Sequence, residues 1–137
     1  MKYKFLNKEV TSDVMFEAYG KTEKELFENS AEALMSVVCN IKNVKTKKAI
    51  SIKIKAENLK ELMFKWLQEF IVLVDTKEMF FSKFNIEKIE DCEIKAEVYG
   101  EAISKEKART LVKAVTYHKF DVSKDKKGYK ARVVLDI

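Results

Sequence analysis

Apolar residues recur along the chain with two different spacings, which separates predicted helices from predicted strands. Two stretches carry apolar residues three or four positions apart, the spacing of one face of an α-helix. The first follows Thr22 and runs to about Cys39, and the second follows a potential cap at Asn58 and continues to Val74. Thr22 and Glu25 also have the spacing of a capping box. The chain is therefore expected to contain two amphipathic helices.

The remaining segments alternate apolar and polar residues, which predicts strands with one solvent-exposed face. The final two strands flank the charged run Ser123–Lys127, which Gly128 closes, and this arrangement predicts a β-hairpin. A turn of helix is expected at Ser104–Arg109. In the first hairpin strand, one face is expected to carry Ala114, Thr116, His118, Phe120 and Val122. Strands are expected at residues 3–6, 13–20, 50–56, 92–99, 113–122 and 128–137, and residues 79–89 are expected to contain one around Phe84 and Ile86.

Two helices among six or seven alternating strands indicate an α+β fold. Strands with one wet face belong to antiparallel or mixed sheets, since purely parallel sheets are buried on both faces. We predict a two-layer sandwich, with two main amphipathic helices packed on a mostly antiparallel or mixed sheet and a β-hairpin at the C-terminus. Trp66, on the apolar stripe of the second helix, is expected in the core.

The charge balance favours no class of partner strongly. Among the 137 residues, 27 Lys and Arg oppose 22 Asp and Glu, a formal net charge of +5. This excess permits contact with RNA or an acidic protein surface but does not require either. The longest apolar run, Phe70–Val74, is too short to cross a bilayer. Residues 1–9 are charged and lack the apolar segment of a signal peptide. We therefore expect a cytoplasmic protein without a membrane partner.

Motifs of the common enzyme classes are missing from the sequence. Three glycines could hardly build a phosphate-binding loop. Cys39 and Cys92 have no second Cys or His at zinc-binding spacing, so both are expected to be reduced, mostly buried thiols. A lone mid-strand histidine such as His118 is more often structural than catalytic. The chain is not expected to be an enzyme.

Carboxylates form the most informative constellation. The predicted hairpin would place Lys113 close to Asp136 and the α-carboxylate of Ile137, and Asp13 would join them if its strand pairs with the last one. Clustered carboxylates repel unless a cation or protons neutralise them. An oxygen-only set selects Ca²⁺, Mg²⁺ or Mn²⁺ over Zn²⁺. On the residues alone, the favoured interpretation is the simpler one, in which Asp136 pairs with a lysine at the surface.

Several blocks resemble the archease family, in the family's order, over nearly the whole chain. The resemblance implies a single archease-like domain over residues 1–137. It departs from the family at Val10, where members usually carry a histidine three residues before the N-terminal aspartate. The matching blocks are Thr11–Asp13, Phe16–Gly20, the helix start at Glu25–Phe27, Leu59–Phe70 around Trp66, Gly100–Glu101, KAVTYH at Lys113–His118 and the terminal VVLDI at Val133–Ile137.

The resemblance implies a function and a site. An archease activates an RNA-splicing (tRNA) ligase, which joins RNA ends through a covalent guanylate on a histidine and uses GTP and a divalent metal. The activator promotes guanylylation and multiple turnover in tRNA splicing and RNA repair. Its metal site would consist of Asp13, Asp136 and Ile137, with Ca²⁺ expected first and Mg²⁺ or Mn²⁺ as alternatives. Lys113 and His118 would serve ligase activation without binding the metal.

Two other classes of function remain open on the sequence. One is a binding module or chaperone for an RNA-modifying enzyme such as a tRNA methyltransferase, which would act through a surface without a metal. The net charge and the basic run Lys45–Lys48 are compatible with it, although that run is more simply a solvated loop. The other is a free-standing metal-dependent hydrolase, which is disfavoured because no acid/base pair accompanies the carboxylates.

Overall fold

Both helices begin at the residues expected to cap them. The structure, a computed structural model, describes residues 1–6 and 13–137. The side-chain oxygen of Thr22 accepts a hydrogen bond of 3.1 Å from the Glu25 amide, and that of Asn58 accepts one of 2.9 Å from the Glu61 amide. The elements are β1 (Tyr3–Phe5), β2 (Asp13–Gly20), α1 (Glu23–Val38), a 3-10 turn (Ile41–Asn43), β3 (Lys48–Lys55), α2 (Leu59–Lys77), β4 (Met79–Glu90), β5 (Glu93–Ala102), β6 (Ala114–Asp125) and β7 (Gly128–Asp136).

The strands form two sheets, and every pairing among the described residues is antiparallel. One sheet has the order β1-β2-β7-β6 and the other has the order β3-β5-β4. Helix α1 contacts β2 and β7 of the first sheet and β4 of the second, while α2 contacts β6, β3 and β4. The expected α+β fold, with two packed helices and a C-terminal hairpin, is confirmed. Neither helix in the described part of the chain is long and apolar enough to span a bilayer.

Trp66 lies at the centre of the apolar core, as expected. It is fully buried, and its indole nitrogen donates a hydrogen bond of 2.8 Å to the carbonyl oxygen of Phe27 in α1. Its ring meets that of Phe70 edge-on, with ring centroids 4.8 Å apart. This single side chain therefore joins the two helices by both apolar packing and a hydrogen bond.

A large bulge interrupts β6, so the side chains of this strand do not alternate between the two faces of the sheet as expected. Thr116 pairs with Val134, but the next paired residue, Asp121, pairs with Arg132, so four residues of β6 oppose one residue of β7. Lys119 within the bulge has a φ of 55°, in the left-handed region that non-glycine residues rarely occupy. The extra residues break strict alternation. The expectation that Ala114, Thr116, His118, Phe120 and Val122 share one face is consequently wrong.

The two cysteines lie in different settings. Cys39, at the C-terminal end of α1, is buried, and burial raises the pKa of its thiol to about 12. A thiol with that pKa is a poor nucleophile at neutral pH. Cys92 does not start a strand as expected but lies with Asp91 in the β4–β5 turn, where both residues have positive φ. This two-residue connection has the geometry of tight hairpin turns.

Candidate functional site

Three distant segments of the chain meet at one end of the first sheet. Asp13, the first residue of β2, is the direct cross-strand partner of Asp136, the last residue of β7. On the other side of β7, Asp136 pairs with Ala114 of β6. The main-chain amide of Lys113 donates a hydrogen bond of 2.8 Å to the carbonyl oxygen of Asp136. The structure thus brings together Asp13, Lys113 and Asp136.

The two aspartates project from the same side of the sheet. Directly opposed residues of antiparallel strands have Cβ atoms about 4.5–5.5 Å apart, and like charges in such a pair destabilise it. Both residues are exposed, so substituting either one leaves the core packing untouched. Ile137 follows at once, and its partly buried side chain packs against the core and holds the residue beside Asp136.

The donor set at this end of the sheet suits a hard cation. Carboxylate oxygens are the ligands that Ca²⁺, Mg²⁺ and Mn²⁺ prefer. The described residues contain no group of three or more His, Cys, Asp or Glu side chains that could hold a metal. Two aspartates alone are a sparse set, so a metal here would need further oxygen ligands, and the main-chain oxygen of Ile137 is the one next to Asp136.

The ammonium group of Lys113 is not held in an ion pair by the described part of the chain. No carboxylate of residues 1–6 or 13–137 lies within 4.0 Å of its Nζ. The backbone position is fixed by the bond to Asp136, while the side chain is exposed. Lys113 can therefore present a positive charge to an anionic group outside the molecule.

His118 lies away from the aspartates, in the bulge of β6. It is exposed, and its neighbour Tyr117 stacks on Phe64 of α2 with ring centroids 3.9 Å apart and planes 5° apart. The hydroxyl of Tyr117 donates a hydrogen bond of 3.1 Å to the Glu61 carboxylate. The register of the sheet does not bring His118 to Asp13 and Asp136. The bulge instead presents the imidazole to solvent beside an aromatic contact with α2.

The segment at residues 103–113, which we call the strap, connects β5 to β6 and ends at Lys113 in the candidate site. Its first half forms a single hydrogen-bonded turn, in which Ala108 N lies 3.1 Å from Ser104 O, and the turn does not continue as a helix. The strap then crosses the end of α1. The amide of Arg109 bonds to Val38 O at 2.9 Å, and the amide of Asn40 bonds to Lys107 O at 2.8 Å.

Glu101, at the end of β5, binds the strap through Lys107. The sequence analysis did not predict a functional role for it. Only 8% of this residue is exposed. One carboxylate oxygen accepts hydrogen bonds from Lys107 Nζ at 2.6 Å and from the Lys45 amide at 2.7 Å. The bond from Lys107, with the one from Lys45, holds the pKa of the carboxyl below its ordinary value. The sequence signal beside it was Gly100, since a glycine within an alternating strand pattern indicates a close backbone approach. A Cβ at this position would overlap the Phe80 carbonyl.

A second carboxylate, Glu17, is buried on the outer face of the first sheet. Burial raises its pKa, but the hydrogen bonds from Tyr19 and Arg132, together with the positive charges of Lys130 and Arg132, outweigh burial, and the net direction is downward. Burial, followed by the hydrogen bond to Glu17 and its negative charge, raises the pKa of Tyr19 to about 12. Arg132 donates two hydrogen bonds to Glu17, of 3.2 and 3.0 Å. These residues satisfy one another, so we interpret the network as structural. Val10, where the sequence departs from the family, lies outside the described residues.

Comparison with known proteins gives one consistent result. The sequence model of the Archease protein family (MTH1598/TM1083) matches residues 3–137. A protein archease of Methanosarcina acetivorans is 38% identical, with 99% of this chain and 96% of the relative covered. A protein archease of Archaeoglobus fulgidus is 34% identical over the full length of both chains.

Solved structures show the same fold. The solution structure of Methanobacterium thermoautotrophicum protein 1598 superposes with a TM-score of 0.83 at 31% identity and covers 98% of each chain. The crystal structure of an archease from Thermotoga maritima, described as a possible chaperone, superposes with a TM-score of 0.69 at 21% identity. It covers 96% of this chain and 98% of its own, and at that identity the likeness concerns the fold alone.

Proposed function

The chain belongs to the archease family, and we propose that it activates an RNA-splicing (tRNA) ligase by promoting the ligase's guanylylation and repeated turnover. The observation that carries the proposal is the pairing of Asp13 with Asp136, next to the backbone bond between Lys113 and Asp136. Three residues that family resemblance singles out converge here from segments more than twenty residues apart. They do so on an exposed sheet end that a partner can reach.

The geometry supports a division of roles within this site. Asp13, Asp136 and the Ile137 carboxylate would hold a divalent cation, with Ca²⁺ as the first expectation and Mg²⁺ or Mn²⁺ as alternatives. A bound cation would supply positive charge that attracts phosphate oxygens. Opposed like charges on neighbouring strands repel, so the pairing of Asp13 with Asp136 would favour a bound cation. The exposed ammonium group of Lys113 would meet anionic oxygens of the partner's nucleotide or RNA.

His118 has a separate part in this proposal. The bulge places it on the exposed side of β6, along the strand from Ala114, where it can contact the partner without binding the metal. A wide bulge with a residue at positive φ is the kind of device that re-aims a side chain next to a functional site. Neither His118 nor Lys113 would act as a catalytic residue of this protein, because the chemistry belongs to the ligase.

A ligation assay with RNA in excess over ligase tests the proposal. The ligase is incubated with GTP and substrate, with and without this protein, and both covalent guanylylation and the number of turnovers are measured. We expect both to increase with the wild-type protein, and the Asp136→Asn protein to serve as the matched control. Equal guanylylation and turnover with and without the protein would refute the proposed function.

A second candidate is a binding module or chaperone for an RNA-modifying enzyme. The Thermotoga maritima protein that shares this fold is described as a possible chaperone, which is the reason for considering this alternative. A chaperone would raise the yield of active partner without changing the turnover of partner that is already folded. The ligation assay separates the two functions, since it starts from purified and active ligase.

A further inference from the structure

A second feature of the surface shares Lys113 with the candidate site and extends away from the aspartate pair. Between the C-terminal half of α2 and the strap lies an open groove of about 810 Å³. Its apolar lining includes Val72, Ile103 and Leu111, which are 44%, 42% and 76% exposed. Large apolar residues gathered on one exposed surface commonly mark an interaction site.

The groove is continuous with the candidate site. The strap forms one wall, and that wall ends at Lys113, whose amide bonds to Asp136. An occupant of the groove would therefore sit next to the aspartate pair. An activator that acts on the active site of another protein needs such an adjacent contact to hold the two in register, because positioning of a reacting group depends on a fixed geometry.

The charges that line the groove indicate the chemistry of its occupant. Asp75 and Glu78 lie on the α2 side, while Arg109 and Lys113 lie on the strap side. These four charges cancel, which disfavours a phosphate backbone, since nucleic-acid binding relies on an excess of Lys and Arg. Opposite signs on the two walls instead match a protein segment whose apolar face is bordered by an acidic and a basic edge.

A second copy of this chain fits the groove less well. A symmetric dimer contact must be complementary to itself. A concave groove that faced its own copy would leave its volume unfilled. We infer that this groove is the docking surface for an amphipathic segment of the ligase that the protein activates. The inference rests on the proposed function and adds a binding surface that is distinct from the aspartate pair.

Titration of the protein against a fixed amount of purified ligase tests this inference. The concentration that gives half-maximal stimulation reports docking, and the maximal stimulation reports the action of the site. Leu111→Asp and Val72→Asp are each expected to raise the half-maximal concentration roughly tenfold or more, as for central contacts of an interface. Maximal stimulation should be retained at saturation, because neither residue touches the aspartate pair.

Two matched variants control for trivial effects. Leu111→Met keeps an apolar side chain and should leave the half-maximal concentration unchanged. Ser51→Asp adds the same charge at an exposed position of β3 and should also leave it unchanged. Melting temperatures of the Leu111 and Ser51 variants should lie close to that of the wild type, because Leu111 is 76% exposed and Ser51 is exposed. Val72 is 44% exposed, so Val72→Asp should melt somewhat lower, and Leu111→Asp is the decisive variant.

The possible outcomes separate the two proposals. If the wild-type protein does not stimulate the ligase, both the proposed function and this inference are refuted. If the wild type stimulates and Leu111→Asp has an unchanged half-maximal concentration, the groove is not the docking surface and the proposed function stands. Sedimentation of the wild type and of Leu111→Asp adds a third outcome. If the wild type is a dimer, Leu111→Asp is a monomer and stimulation is unchanged, the groove binds a second copy of the chain and the inference is overturned.

Discussion

The ammonium group of Lys107 lies 2.6 Å from the carboxylate of Glu101, and this contact ties the strap to the end of β5. The hydrogen bond from Lys107 lowers the pKa of Glu101 from its ordinary value of 4.5. A carboxyl with a lowered pKa in the folded state stabilises the protein above its unfolded-state pKa and loses that effect as pH falls through the folded-state pKa.

Glu101→Gln should therefore lower the melting temperature at neutral pH, and the difference from wild type should shrink as the pH falls below 4.5. Calorimetry across this range measures both effects. Lys107→Gln should behave in the same way, and combining the two should cost less than the sum, because both remove one interaction. A wild-type advantage that persisted unchanged at low pH would show that the contact acts through packing alone.

The candidate metal site should depend on the negative charge of its three carboxylates. Asp13→Asn and Asp136→Asn should each weaken Ca²⁺ and Mn²⁺ binding in calorimetric titrations, because ligand charge largely sets the affinity for hard cations. Both variants should fold normally, since these residues are exposed. A tag fused after Ile137 converts its carboxylate to an amide and should weaken binding too, whereas an N-terminal tag should not. Equal metal affinity in all of these proteins would exclude the metal site and favour the alternative that Asp136 forms a surface ion pair.

Lys113 should matter for activation and oppose metal binding. Lys113→Ala should abolish stimulation of the ligase at saturating protein, because the positive charge that faces the partner is lost. The same change should raise metal affinity, since a nearby cation disfavours a second one. Lys113→Arg retains the charge and serves as the control. Full stimulation by Lys113→Ala would exclude the proposed contact with anionic oxygens.

The proposed role of His118 makes a different prediction, because this residue lies in the bulge and away from the aspartates. His118→Gln should lower maximal stimulation and leave both the melting temperature and the Ca²⁺ affinity at wild-type values. Substitution of an exposed residue seldom changes stability by more than about 0.5 kcal/mol. A marked drop in melting temperature would instead indicate that His118 supports the bulge.

Trp66 provides a test of the core. Trp66→Ala should lower the free energy of unfolding by about 3–5 kcal/mol, the usual cost of truncating a fully buried aromatic side chain. Trp66→Phe keeps most of the apolar volume but loses the bond to the Phe27 carbonyl, so its loss should be smaller. Urea unfolding of both variants gives these values. Wild-type stability in Trp66→Ala would contradict the central position of this side chain.

Local patterns in the sequence predict most of the fold. Alternation identifies β2 with its observed bounds, Asp13–Gly20, and the caps Thr22 and Asn58 locate both helix starts. These features follow from the physics of single elements. The division of the strands into two sheets depends instead on which strand edges meet, and an alternating pattern carries no information about that choice.

The candidate site was only partly predictable, for a related reason. The proximity of Lys113 to Asp136 follows from a hairpin, which is a local structure, whereas the pairing of Asp13 with Asp136 required β2 to choose β7. The bulge was not predicted, because an alternating pattern assumes that each residue of a strand pairs with one residue of its neighbour. Residues Tyr117–Phe120 instead lie opposite a single residue of β7. Glu101 was not predicted because its partners, Lys45 and Lys107, are separated in the sequence by all three strands of the second sheet and by α2.

The place of β7 has a consequence for how the chain folds. This strand is the last in sequence order, yet it lies between β2 and β6 in the sheet. The ion pair between Glu17 and Arg132 closes a loop of 115 residues. Contacts of such sequence separation slow folding, because the loop entropy is lost before the contacts form. During synthesis one edge of β2 remains unpaired until β7 has been synthesised. An unpaired strand edge can form hydrogen bonds with a strand of another chain. Refolding should therefore be slow and sensitive to protein concentration.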